Sequence, residues 1–174
     1  MNYTPEQISE IVLKVLKEVN APNLSYQEKI ELADNPNTPV EILKVLATDE
    51  NSTFRYGVAT NPNTPVEILK VLATDENWYI RYGLAKHPNT SVETLKVLAT
   101  DGDWDVRFWV AKHPNTSVET LKVLATDENN TVRCVVAANP NYKIKNLELT
   151  SIQYDALKTL LKSSQVETLK NLTL

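Results

Sequence analysis

The stretch D-G-D-W-D-V-R-F-W-V-A-K-H-P-N-T-S-V-E-T-L-K-V-L-A-T, residues 101–126, decides the fold. One step earlier, residues 75–100 read D-E-N-W-Y-I-R-Y-G-L-A-K-H-P-N-T-S-V-E-T-L-K-V-L-A-T. The signature [N/H]-P-N-T begins at Asn35, Asn61, His87 and His113, with a weaker start at Asn139, so every step is 26 residues. Four full units run 35–60, 61–86, 87–112 and 113–138. A period of this size marks a solenoid, whose units cannot each close a core and must bury their apolar faces on one another.

Each unit holds two elements. The first reads T-P-V-E-I-L-K-V-L-A-T in units one and two and T-S-V-E-T-L-K-V-L-A-T in units three and four. Thr38, Thr64, Thr90 and Thr116 stand three residues before Glu41, Glu67, Glu93 and Glu119, the spacing of a capping box. Pro39 and Pro65 then fall at the first helical position. This predicts a helix of about ten residues. On a helical wheel only Glu41, Lys44 and Thr48 share a polar strip, which predicts a helix buried on most sides by Val40, Ile42, Leu43, Val45, Leu46 and Ala47. The second element, D-E-N-S-T-F-R-Y-G-V-A-T in unit one, predicts a shorter helix of about six to eight residues, α or 3₁₀.

The ends depart from the repeat, as solenoid caps do. Residues 5–19 read as an amphipathic helix, and residues 26–33 as a short element capped by Ser25 with Glu28 at the third position. Residues 152–162 and 165–172 read as two more helices. The organisation is one continuous domain: a helical cap over 1–34, four repeats over 35–138, and a partial repeat with a cap over 139–174.

Composition excludes several classes. Of 174 residues 42% are apolar and 23% charged, a globular balance. Three glycines supply neither the turns of a many-stranded β protein nor a Gly-rich phosphate loop. The single cysteine, Cys134, allows no internal disulfide and no Cys-rich metal site. A net charge of −4 makes nucleic acid a poor partner. No apolar run has the length of a membrane span, and the first residues lack a signal-peptide pattern, so a cytoplasmic location is expected.

Asp101, Trp104, Val106, Arg107, Val110, Ala111, His113, Pro114, Asn115, Thr116, Leu121, Leu124 and Ala125 follow the order of a known unit. In them the chain resembles the leucine-rich repeat variant family, well over 35–138 and loosely over 23–150. The resemblance implies an all-α, right-handed α-solenoid of 26-residue repeats, each an α-helix and a 3₁₀-helix, with helical caps. Some members carry an N-terminal Cys-ligated iron–sulfur cluster; with Cys134 inside the last repeat, no cluster and no cofactor is carried over. The Asp…Val-Arg spacing also resembles HEAT-like repeats. Both resemblances imply a binding scaffold more than an enzyme, and neither identifies a ligand; the repeat architecture together with the clustered aromatics leads to the expectation of a protein or peptide partner.

Two columns compete as sites. The pairs Asp49/Arg55, Asp75/Arg81, Asp101/Arg107 and Asp127/Arg133 balance in charge and read as a structural ladder, each Arg bonded to Asp of its own or the next layer. His87 and His113 lie one repeat apart with no further His or Cys nearby, so no metal is expected. No nucleophile set or known catalytic motif is present. The aromatics gather in the second elements. There, positions 53, 56, 57 and 60 and their equivalents vary between units while the opposite side repeats. That side is expected to face outward. The expected binding residues are Tyr56, Tyr79, Tyr82, Lys86, Trp104, Asp105, Phe108, Trp109 and Lys112. A groove acting on nucleic acid or as an enzyme, and a self-associating structural module, are the alternatives.

Overall fold

A computed structural model describes residues 24–145; the helices read at 5–19, 152–162 and 165–172 lie outside them. The described residues form α1 (Tyr26–Asp34), α2 (Val40–Leu46), α3 (Ser52–Thr60), α4 (Val66–Leu72), α5 (Trp78–Lys86), α6 (Val92–Leu98), α7 (Trp104–Lys112), α8 (Val118–Leu124), α9 (Asn130–Ala138) and α10 (Pro140–Lys145). No strand occurs among them. Short helices alternate with longer ones, and α1, α3, α5, α7 and α9 pack in one continuous row. Successive short helices make no comparable contact. The chain is therefore a solenoid whose longer helices sit closest together and whose shorter helices splay outward.

The core is a repeating set. The short helices bury Ile42, Leu43 and Leu46 in α2 and Ile68, Leu69 and Leu72 in α4, with Thr94 and Thr120 in the isoleucine's place in α6 and α8. The long helices α3, α5 and α7 bury Phe54, Val58 and Ala59 and their equivalents, and α9 buries Val132 and Val136. One apolar cluster runs through the described layers.

Local structure departs from the sequence reading at four points. The short helices span seven residues rather than ten, because Thr48 N–H and Asp49 N–H reach back only three residues, to Val45 O at 3.1 Å and Leu46 O at 3.3 Å, which ends the α pattern. The long helices are nine-residue α-helices, with no 3₁₀ segment among the described residues. Asn51, Asn77, Asp103 and Asn129 cap them, each side chain accepting the N–H two residues on.

The threonines do not cap the short helices. Thr38, Thr64, Thr90 and Thr116 are buried, and their hydroxyls donate to Leu32 O, Val58 O, Leu84 O and Val110 O at 2.5–2.7 Å. Each adds a side-chain donor to a carbonyl near the end of the preceding long helix; Val58 O, Leu84 O and Val110 O also accept the N–H of Asn61, His87 and His113, at 3.3, 3.0 and 3.1 Å. The cap moves one residue on: Ser91 and Ser117 accept the N–H of Thr94 and Thr120, while Pro39 and Pro65 fill the place without a side-chain bond. The box expected of Ser25 and Glu28 does form, at the start of α1.

Nor are the short helices buried on most sides. Val45, Val71, Val97 and Val123 are 45–61% exposed, because no neighbouring short helix covers them.

Candidate functional site

The charged ladder runs between layers. Arg55 grips Asp75 with Nε and Nη2 at 2.7 and 3.0 Å, Arg81 grips Asp101 at 2.5 and 2.9 Å, and Arg107 grips Asp127 at 2.7 and 2.9 Å. The third nitrogen of each fork donates to backbone carbonyls in the turn before its own helix, as Arg107 Nη1 does to Asp101 O at 2.8 Å. Each Asp also accepts the N–H two residues on, at 2.9 Å for Asn51 and 2.8 Å for Asn129. Lys29 stands in for the arginine of the first layer and meets Asp49 at 2.7 Å. Arg133 donates to Asp127 O, Glu128 O and Asn130 Oδ1. No carboxylate pairs with it among the described residues. Bonding to Arg107, against the cost of burial, holds the Asp127 carboxyl below the usual carboxylate range. The Arg55, Arg81 and Arg107 forks are committed to protein acceptors, so this column offers them no open face for an anion.

A second column ties the turns together. Asn61 Nδ2 donates to Ala33 O and Asn35 O, both at 2.8 Å, and Asn139 Nδ2 to Ala111 O at 2.7 Å. In the middle layers His87 Nε2 donates to Asn61 O at 2.8 Å, and His113 Nε2 to His87 O at 3.0 Å. Their Nδ1 atoms accept the N–H of Asn89 and Asn115 at 3.1 and 3.0 Å. This fixes the neutral Nε2–H tautomer and uses both nitrogens, leaving no lone pair for a metal. Burial pushes both imidazoles down from their ordinary value. Asn63, Asn89, Asn115 and Asn141 add a bond from each turn to the proline carbonyl of the turn before it.

The aromatic residues lie on the row of long helices. Tyr56 and Tyr79 stack at 4.4 Å, Tyr79 and Tyr82 at 5.7 Å, Tyr82 meets Trp109 edge-on at 6.2 Å, and Trp109 meets Phe108 at 5.6 Å. Rings from three successive layers thus form one connected strip. Trp78 and Trp104 are each 43% exposed and Tyr79 is 45% exposed; Tyr56, Tyr82, Phe108 and Trp109 are half-buried. Burial and the neighbouring Tyr79 push the Tyr56 hydroxyl up to about 12. Lys86 Nζ lies 4.7 Å from the Trp109 ring centre and 4.9 Å from that of Tyr82, and Lys112 Nζ lies 4.6 Å from Trp109. Asp105, partly buried, sits at the opposite end of α7 from Lys112.

Not all of the expected outward side is free. Gly57 and Gly83 are buried, and a Cβ on Gly57 would come within 2.6 Å of Ala33 Cβ. A wheel allows one packed side, but a helix inside a row has a neighbour on each flank, and position 57 faces the layer before. Trp109 stands at this same position two units on, and its ring lies out against Lys86 of the preceding layer instead. Sequence reasoning placed Trp109 and the lysines on one face but missed that the lysines cover the ring; the glycine-to-tryptophan change within one column was the available signal.

Residues 104–129 match the family model for the leucine rich repeat variant. In this window the chain is similar to a leucine rich repeat variant unit. It spans α7, the His113 turn, α8 and the Asp127 that receives Arg107. The windows 52–77 and 78–103 repeat its two helices and its ladder contact. Searches of curated proteins and of solved structures gave no match.

Proposed function

We propose that this protein is a non-catalytic scaffold that binds a protein or peptide along the aromatic strip of its long helices. The observation that carries this reading is the connected run of part-exposed rings across three layers, in which Trp78 and Tyr79 are more than 40% exposed. Exposed aromatic patches mark interaction sites, and Tyr and Trp supply most hot spots. A repeat family fits such a role. The reading as an enzyme has little support, since the ladder carboxylates are committed to Arg partners rather than paired with one another in an apolar pocket. The groove acting on nucleic acid is disfavoured because three arginines are consumed within the protein. An exposed, unbridged Cys134 suits a reducing compartment, and no helix among the described residues is long and apolar enough to cross a membrane.

The test uses a photo-crosslinking residue at Tyr79 and, separately, at Val71 on the splayed helices. Crosslinked protein from host cells should concentrate at Tyr79, and Tyr82→Ser with Trp109→Ser should abolish it while the folded fraction is unchanged. Equal crosslinking at both positions, or unfolding of the double variant, would remove the strip as the binding face.

A further inference from the structure

The end residue of each long helix forms a row along the strip: Asp34, Thr60, Lys86, Lys112 and Ala138. Charge along this row runs from negative, through neutral, to two adjacent positives. Lys86 and Lys112 are exposed. Neither meets a carboxylate at ion-pair distance among the described residues, whereas Arg55, Arg81 and Arg107 all do. Asp105 does not neutralise them: it lies seven residues before Lys112, about 10 Å away along the helix. Both ammonium groups are instead held over one indole, 4.7 and 4.6 Å from its centre. Two like charges drawn to one ring leave a concentrated positive spot in a chain whose net charge is −4. At the other end Asp34 is exposed, its Oδ1 lies beside Gly57 of the next layer, and it has no ion-pair partner among the described residues.

Resting on the scaffold reading above, we propose that the strip takes an extended peptide segment, with an acidic side chain seated on the Lys86–Lys112 pair over Trp109 and a basic side chain against Asp34. Helix rows are spaced by about 9 Å, so Asp34 and Lys86, two layers apart, are separated by about 18 Å. An extended chain covers that in about five to six residues. The segment's apolar side chains lie on the tyrosine rings between the two charged ends.

The probes are fluorescein-labelled libraries of extended peptides of about ten residues. One carries Arg and Glu about six positions apart, the second has Gln for Glu, the third has Gln for Arg, and a single-stranded oligothymidine is the fourth probe. Fluorescence anisotropy should show the Arg/Glu library binding about two- to fivefold more tightly than the Gln-for-Glu library. Lys86→Gln with Lys112→Gln should abolish that difference, and Asp34→Asn should abolish the advantage over the Gln-for-Arg library, with urea unfolding unchanged. Binding that ignores charge but is lost in Tyr82→Ser with Trp109→Ser would overturn this inference and leave the scaffold reading standing. Binding of no peptide library, or tighter binding of the oligonucleotide, would overturn both.

Discussion

Arg107→Met removes the last inter-layer pair of the described ladder, and its cost follows from the contacts. The Arg107 and Asp127 side chains are only 9% and 5% exposed, so solvent screens the pair little. Breaking a buried pair by removing one partner costs about 3–5 kcal/mol, because the other charge stays behind unpaired. Asp127 keeps the N–H of Asn129 at 2.8 Å, which places the cost at the lower end, about 3 kcal/mol. Asp127→Asn in the Arg107→Met background removes the stranded charge while keeping an acceptor for Asn129, and should recover about half of the loss. Asp101→Asn should recover nothing, because Arg107 uses the Asp101 backbone and not its carboxylate. Arg133→Met, with no carboxylate partner among the described residues, should cost less than about 1.5 kcal/mol. Urea unfolding of the five proteins measures all of this. Acid adds a second reading: the Asp127 contribution is present above its unfolded pKa, about 3.9, and is lost as pH falls through its depressed folded value. That part of the acid sensitivity should vanish in Arg107→Met. A loss for Arg107→Met no larger than for Arg133→Met, or rescue by Asp101→Asn rather than Asp127→Asn, would refute the inter-layer ladder as a source of stability.

Thr90→Val keeps the shape but leaves Leu84 O without its 2.7 Å donor, and should cost about 1–2 kcal/mol by chemical denaturation; a neutral result would mean water replaces the hydroxyl. His87 and His113 have lowered folded pKa values, so their stability contribution is complete above the unfolded pKa of 6.5 and declines as pH falls below it. His87→Asn with His113→Asn, which copies Asn61 and Asn139, should flatten the melting temperature between about pH 5 and 6.5; an unchanged slope would place the effect elsewhere. Gly57→Ala should destabilise by about 1–3 kcal/mol, since its Cβ meets Ala33 at 2.6 Å, whereas Gly102→Ala, with nothing within 4 Å, should be close to neutral; equal melting temperatures would contradict the layer contact at position 57.

The 26-residue signature made the architecture legible before any coordinates, because a repeated turn and a repeated apolar set admit only stacking. The Asp/Arg columns announced a ladder for a similar reason, since matched charges at fixed spacing leave little for a ligand. The short helices misled where one residue type had two uses. A threonine three residues before a glutamate satisfies the capping-box pattern, yet the Thr90 hydroxyl donates back to Leu84 O at the end of the previous helix, beside the His87 N–H, a demand the capping motif does not contain. The valines of the short helices look like core on a wheel, and only the unequal spacing of the two rows exposes them. The aromatic strip was legible in its membership but not in its connections. That Trp109 lies beneath two lysines, one from its own helix and one from the layer before, is a contact between units that no single repeat displays.

The direction of the ladder has a consequence for how such a molecule changes length. Arg55, Arg81 and Arg107 reach forward 20 residues, Asn61, His87, His113 and Asn139 reach back 26–28, and Thr38, Thr64, Thr90 and Thr116 reach back six. Each rule is an offset, not an address. Copying 26 consecutive residues within the repeats, wherever the cut falls, supplies a donor and an acceptor for each of these bonds across the new junction. Excising a block of that size removes both together. The number of layers is thus open to ordinary gene duplication and loss, with no compensating substitution needed at the seam.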